Sequence, residues 1–173
     1  MAFSTDLQIE LIATGEKAGL WGTITNNNLQ ILELASSGYF STAALATGNL
    51  TLQLDNGSAA GTTTASGKNL MIEVTGTLTA NRVITMPTGA ERIFIVKDST
   101  VRSSSNFTIG VQNVGATTGI VPLTSGASTI YYTDGTTADS MKLLGVLNES
   151  FYNVVGGTNS PYTAIAGDTL FVS

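Results

Sequence analysis

The sequence predicts a mainly β protein: an antiparallel β-sandwich or jelly-roll-like domain with one short N-terminal helix and an extended C-terminal arm. Three observations support this fold class. About nine short runs of apolar or alternating residues follow residue 38, and glycine occurs 19 times in 173 residues. Only one segment has residues typical of both a helix start and a helix end. Short strands separated by turn residues at this spacing are typical of sandwiches and barrels.

Residues 1–38 are expected to form an N-terminal assembly segment. Apolar and polar residues alternate from Leu7 to Leu11, which predicts a strand with one buried face. A glycine-rich loop around Trp21 comes next. The run from Thr25 to Ser37 starts with capping-type residues and is followed by Gly38, which predicts the helix. Apolar residues cover a wide arc of this helix, so we expect part of it to face another subunit.

Residues 39–145 are expected to form the β-sandwich itself. Turn signals at Asp55-Asn56-Gly57 and Asp134-Gly135 separate its runs, and residues 57–67 are typical of a polar loop. The predicted strands are Tyr39 to Leu45, Asn49 to Leu54, Leu70 to Val74, Val83 to Met86, Arg92 to Val96, Phe107 to Val111, Gly119 to Leu123, Thr129 to Thr133 and Met141 to Leu144.

Residues 146–173 are expected to form an extended arm. This stretch is less regular than the strands before it and contains Gly156-Gly157 and Asn159-Ser160-Pro161. A segment of this composition does not predict a second packed domain. We therefore expect the arm to dock on a neighbouring subunit.

The charge pattern argues against two classes of partner. Charged residues make up 11% of the chain, the net charge is −5, and the seven Lys and Arg residues are scattered. A protein that binds duplex nucleic acid needs clustered basic residues, so we expect no nucleic-acid partner. No apolar run approaches the roughly 20 residues of a membrane span, and the N-terminus does not resemble a secretory signal. We expect no membrane partner, and we expect the protein to be made in a cytoplasm.

The residue types needed for common catalytic chemistry are missing. The chain has no His and no Cys, so the usual general base and the commonest metal ligands are absent. Gly61 to Lys68 has the wrong spacing for a phosphate-binding loop, and Asp134 to Asp139 places its glycine wrongly for an EF-hand. Spacing leaves open a glycosidase with carboxylates from distant strands. We nevertheless expect no enzyme, no catalytic residue, no cofactor and no metal site.

One N-terminal segment carries a specific resemblance. It contains Thr14-Gly15-Glu16-Lys17-Ala18-Gly19-Leu20-Trp21-Gly22 followed by Thr25-Asn26-Asn27-Asn28-Leu29. This sequence resembles a segment near the N-termini of tailed-phage virion structural proteins. The pattern of that segment is close to Thr-Gly-Glu-x-Ala-Gly-x-Trp-Gly-x-x-Thr-Asn-x-Asn-Leu. A weaker similarity continues to about residue 145. It includes Met71 to Ala80 and Tyr132-Thr133-Asp134-Gly135-Thr136.

The resemblance implies that the protein is part of a virion assembled in the cytoplasm of a host bacterium. It also implies a homotrimer, the oligomeric state common in this family. Short length and the lack of a repetitive shaft favour a capsid decoration (cement) protein that packs on the major capsid protein. The alternative is a tail-fibre or head-fibre component that contacts host surface glycans. The residues expected at the intersubunit contact are Leu7, Ile9, Leu11, Trp21, Leu29, Ile31, Leu32, Leu34, Tyr162 and Phe171.

Two alternatives remain open for these residues. Those of the N-terminal segment could instead form core within one chain. A buried Trp21 would fit a scaffold role, whereas an exposed Trp21 would fit contact with a ligand.

Overall fold

The computed structural model describes residues 2–54 and 65–147, and this part of the chain is mainly β, as the sequence predicts. Single 3-10 turns lie at Ala44–Ala46 and Ser66–Lys68. The helix and strands are β1 (Ala2–Phe3), β2 (Glu10–Leu11), α1 (Trp21–Ser37), β3 (Tyr39–Thr42), β4 (Leu50–Thr51), β5 (Met71–Leu78), β6 (Arg82–Met86), β7 (Arg92–Arg102), β8 (Ile109–Asn113), β9 (Val121–Pro122), β10 (Ser128–Thr133) and β11 (Lys142–Leu147).

The middle of the chain winds in three turns between two sheets. Each turn adds one strand to a five-stranded sheet, of order β11-β10-β7-β5-β3, and one to a four-stranded sheet, of order β4-β6-β8-β9. The turns are β3 with β4, β5 with β6, and β7 with β8. Equivalent strands of successive turns are parallel neighbours. The strand in the opposite sheet supplies the crossover that parallel neighbours require.

Antiparallel strands complete the two sheets after the third turn. β9 pairs with β8, β10 pairs with β7, and β11 pairs with β10 at the edge of the five-stranded sheet. β11 thus lies at the opposite edge from β3.

We call the three turns formed by β3 to β8 the coil. The predicted antiparallel arrangement is wrong for these six strands, and so is the jelly-roll topology that depends on it. All nine predicted strands after Gly38 have a counterpart in the structure. Alternation along a strand indicates which face is buried, but it does not identify the neighbouring strand. The short connection from Leu78 of β5 to Arg82 of β6, for example, leads from one sheet to the other.

The two sheets enclose one hydrophobic core. Ile72 of β5 and Val96 of β7 meet Ile84 of β6 and Val111 of β8 in a single buried cluster. The rings of Phe94 and Tyr131 stack with centroids 5.6 Å apart. The Tyr131 hydroxyl donates to the Pro122 carbonyl at 2.9 Å, which ties β10 to β9 across the core.

Three predicted features lie partly or wholly outside the described residues. Two of them are the turn at Asp55-Asn56-Gly57 and the polar loop of residues 57–67, of which only residues 65–67 are described. The third is the arm of residues 146–173, because β11 continues to Leu147 and the description ends there.

The second predicted turn lies in the connection between β10 and β11. The Asp134 carboxylate accepts hydrogen bonds from the backbone N–H groups of Thr136 at 2.8 Å and Thr137 at 3.0 Å. The Thr137 hydrogen bond is the first of several that hold the pKa of Asp134 well below its ordinary value. The carboxylate oxygens thus organise a turn, as the residue types predict.

Candidate interaction surface

A short N-terminal hairpin begins the region in which the sequence predicts intersubunit contacts. β1 and β2 are antiparallel, and the Ser4 N–H donates to the Ile9 carbonyl at 2.9 Å. The predicted strand from Leu7 to Leu11 with a buried apolar face is wrong. β2 has only two residues, Leu7 and Leu11 are exposed, and Glu10 is buried.

Local backbone geometry and an ion pair explain this reversal. Residues 5–7 form a turn, and Gln8 has a φ of 57°, which breaks the alternation expected of a strand. The Glu10 carboxylate contacts the Lys17 ammonium at 3.3 Å, and this pairing accompanies the burial of the charged side chain.

The segment that carries the resemblance forms two consecutive turns before the helix. Gly15, Lys17 and Gly19 have positive φ values of 84°, 62° and 81°. Glycine adopts this conformation without steric strain, which accounts for the glycine at two of these positions. The Leu20 N–H donates to the Lys17 carbonyl at 2.9 Å, so the chain enters α1 directly from the second turn.

Asn28 fastens the hairpin to the helix. Its side-chain oxygen accepts the Glu10 backbone N–H at 2.9 Å, and its side-chain nitrogen donates to the Glu10 carbonyl at 2.9 Å. The amide group therefore acts as a strand partner for β2. Asn28, Gly15 and Gly19 are all fixed positions of the resembling segment, and each has a structural role here.

α1 begins four residues before the predicted Thr25 and ends at Ser37, as predicted. The asparagines interpreted as caps lie inside the helix. Leu20 occupies the N-cap position without a side-chain capping hydrogen bond. At the C-terminus, the Leu34 carbonyl accepts the backbone N–H groups of Gly38 at 2.9 Å and Leu70 at 3.0 Å, and the second bond joins the helix to the start of the coil.

The helix has one buried face and one exposed apolar face. Ile24 and Ile31 are buried, with Ile31 only 1% exposed. On another face, Trp21 is 64%, Leu29 57% and Leu32 42% exposed. Monomeric proteins rarely leave large apolar groups adjacent on one surface unless they have a binding role. We call the positions along this face, Trp21, Thr25, Leu29, Leu32 and Ser36, the Trp21 stripe.

The residues predicted at the contact are thus divided among different environments. Ile31 belongs to the core of the chain, Ile9 and Leu34 are half-buried, and Tyr162 and Phe171 lie outside the described residues. The exposed members are Leu7, Leu11, Trp21, Leu29 and Leu32. Sequence reasoning missed the exposed Leu20, because we assigned it to the loop and considered only Trp21 there.

A second apolar surface lies on β11. Leu143, Leu144, Val146 and Leu147 of this edge strand are all exposed. A bulge near Ile130 and Tyr131 changes the register between β10 and β11. Edge strands with exposed apolar side chains are prone to pair with another chain, so β11 is a second region suited to protein contact.

A polar cluster lies on the five-stranded sheet, where the register places Ser41, Glu73 and Lys97 side by side. The Glu73 carboxylate accepts hydrogen bonds from the hydroxyls of Tyr39 and, at 2.7 Å, Ser99. It also contacts the Lys97 ammonium at 3.6 Å. These groups, Tyr39 first, lower the pKa of Glu73 to about 2, and the Glu73 carboxylate in turn raises the pKa of Tyr39.

Replacing Glu73 with glutamine is expected to lower stability at neutral pH and to matter less in acid. The folded-state pKa lies below the ordinary 4.5, so the stabilisation is complete above about pH 4.5 and is lost toward about pH 2. Because the cluster faces solvent, the effect at pH 7 should stay below about 1 kcal/mol. Urea unfolding of wild type and Glu73→Gln at pH 7, 4.5 and 2.5 measures it. A difference that does not shrink as the pH falls would contradict this interpretation.

An open cavity of about 460 Å³ lies near the ends of β7, β8 and β9. Hydroxyl groups and the apolar side chains of Phe107 and Leu123 line it together with Arg102. The three Arg102 nitrogens donate to Asp98 at 2.7 Å, to the Phe107 carbonyl at 2.9 Å and to Ser125. This guanidinium therefore joins strand ends and loops of the chain itself.

Comparisons of the chain with protein-family models, curated proteins and solved structures find no match. Within residues 2–54 and 65–147, no three acidic side chains come close enough together to form a metal site. No helix in the same described ranges is long and apolar enough to cross a bilayer.

Proposed function

We propose that the chain is a non-enzymatic structural protein of a tailed-phage virion, and specifically a capsid decoration protein that packs against copies of itself and the major capsid protein. One observation is the main support. The N-terminal segment that resembles phage virion proteins also presents the exposed Trp21 stripe. An apolar surface of this kind is suited to a permanent protein contact.

The architecture is consistent with such a role. The three-turn coil has one continuous core, and its cavity lies next to an arginine that is engaged within the chain. The carboxylates of Glu73, Asp98 and Asp134 each accept hydrogen bonds from neighbouring groups. These charged groups therefore have structural partners, which favours a building block over a catalyst.

We also propose that the C-terminal arm, with Tyr162 and Phe171, docks on a neighbouring subunit in the virion. β11 leads into this arm and has exposed apolar side chains up to Leu147. Among the described residues β11 is the edge strand of its sheet, and a strand from a neighbour could pair with it in the same region.

A fibre component that binds host glycans is the second candidate, and the exposure of Trp21 favours it. Exposed aromatic rings are common in sugar sites. Leu29 and Leu32, however, share the stripe with Trp21 and offer no hydrogen-bonding groups to sugar hydroxyls. We therefore place protein contact first.

A phage from which the gene for this chain has been deleted distinguishes the two roles. For decoration, we expect the deletion particles to release DNA at a temperature several degrees lower, with adsorption to the host unchanged. Added wild-type protein should restore the heat resistance. Loss of adsorption with unchanged heat resistance would instead support the fibre role and contradict decoration.

A further inference from the structure

We propose that the Trp21 stripe pairs with the same stripe of a second copy, with the two helices antiparallel about a two-fold axis near Leu29. The inference deepens the self-association contained in the proposed function and rests on it. The occupant of the exposed face is therefore α1 of another copy of this chain.

The positions of the stripe form a narrow ridge. Trp21, Thr25, Leu29, Leu32 and Ser36 are separated by four, four, three and four residues. At 100° per residue they fall within about 80° of the helix circumference, and the ridge extends over most of a helix about 25 Å long. The centre of the buried face lies about 110° away around the helix. A second helix can therefore reach the ridge without displacing Ile24 or Ile31 from the core.

The electrostatics favour contact between copies at this face. Each chain has a net charge of −5, so copies repel one another at most surfaces. The stripe contains no charged residue, and Glu33, the single charged residue in α1, lies outside it. Two stripes can meet without placing like charges together or burying an unpaired charge.

The order of side-chain sizes selects the antiparallel arrangement. When two copies cross at Leu29, Trp21 of one faces Ser36 of the other, and Leu32 faces Thr25. Each large side chain then meets a small one, and the two Leu29 side chains meet at the axis. An isologous two-fold contact requires this kind of self-complementarity. Filling gaps in this way is also the basis of close packing between helices.

A parallel arrangement fits the same residues poorly. Around a parallel axis, including the three-fold axis that the resemblance implies, Trp21 would meet Trp21 and Ser36 would meet Ser36. One end of the bundle would be crowded and the other would contain a gap. The helix sequence therefore favours a two-fold pair, and a parallel trimer is a contrary outcome of the test.

Single cysteines test the geometry, because the natural chain has none. With a short bismaleimide, Leu29→Cys is expected to yield a covalent dimer. Trp21→Cys and Ser36→Cys are each expected to give little dimer alone but a cross-linked heterodimer when mixed. Gln30→Cys, on the exposed polar face of the same helix, is the matched control and should remain uncross-linked. Strong cross-linking of Trp21→Cys alone would establish a parallel arrangement and overturn the proposal.

Sedimentation over roughly 1–200 µM tests the contribution of the stripe to affinity. One pair of short helices buries less than a standard interface of about 1,200–2,000 Å², so we expect a dissociation constant on the order of micromolar. Leu29→Glu and Leu32→Glu should weaken the dimer at least about thirtyfold. Gln30→Glu adds the same charge to the polar face and should leave it unchanged, and circular dichroism checks that all variants fold.

Two sedimentation results would also overturn the pairing. One is a wild-type chain that remains monomeric over this range, and the other is a dimer that both stripe variants leave intact. If a monomeric chain still restored heat resistance to deletion particles, the decoration role would stand and only the pairing would fail. If the chain dimerised through the stripe but did not restore heat resistance to deletion particles, the pairing would stand and the decoration role would fail.

Discussion

Gly135→Ala is expected to destabilise the fold by at least about 3 kcal/mol. Gly135 has a φ of 70°, and a Cβ atom there would lie 2.3 Å from the Ala90 carbonyl carbon and 2.4 Å from its oxygen. The Gly89 N–H also donates to the Gly135 carbonyl at 2.7 Å. The connection between β10 and β11 therefore packs on the connection between β6 and β7, and neither backbone can move away without losing this hydrogen bond.

Gly126→Ala provides the matched control for the Gly135 prediction. Gly126 has a similar φ of 69°, but no atom lies within 4 Å of the position that a Cβ would occupy there. It should lose only the roughly 1–2 kcal/mol associated with a left-handed backbone. Urea unfolding at one fixed protein concentration measures both variants, because self-association would otherwise shift the midpoints. Equal destabilisation would show that the close backbone contact has no energetic role.

Asn113→Ala is expected to destabilise the protein by about 2–4 kcal/mol. The fully buried Asn113 side-chain nitrogen lies 2.8 Å from the Thr133 hydroxyl, 2.9 Å from the Ser140 hydroxyl and 3.1 Å from the Thr137 carbonyl. These contacts connect the end of β8 in one sheet with the end of β10 in the other. Removing the amide leaves buried hydroxyl groups with fewer partners and also creates a cavity.

The adjacent Gln112 supplies the control for Asn113. Gln112 lies on the opposite face of β8 and is half-exposed, so Gln112→Ala should change stability by less than about 1 kcal/mol. Thr133→Val keeps the side-chain shape and removes one hydroxyl of the network. The double variant Asn113→Ala/Thr133→Val should be more stable than the sum of the two single effects predicts. Strict additivity would contradict a coupled network.

Local residue patterns predicted the strands of this fold but not the order in which they pair. The predicted strands Arg92 to Val96 and Thr129 to Thr133 fall within β7 and β10, because alternation and turn residues are local signals. Parallel pairing of β5 with β7 depends on residues more than 20 positions apart. No local pattern distinguishes a turn that leads to the same sheet from one that leads to the opposite sheet.

The candidate surface could likewise be predicted only in part. The apolar content of α1 indicated that the helix had more apolar residues than one buried face requires, but not which of them lie outward. Ile31 and Leu32 are adjacent and chemically alike, yet one is core and the other is exposed. Their difference depends on how α1 packs on the rest of the chain, which the neighbouring residues in the sequence do not specify. The buried Glu10 was unpredictable for a similar reason, since its partner Lys17 is brought close by the turns between them.

Cryo-electron microscopy of the parent virion tests the central proposal most directly. A capsid decoration role predicts density for the three-turn β-coil on the outside of the shell, repeated with the capsid lattice, with the N-terminal helix in contact with another protein chain. Density confined to the tail or to a fibre would contradict the decoration role, and particles that lack the chain altogether would contradict a structural role in the virion.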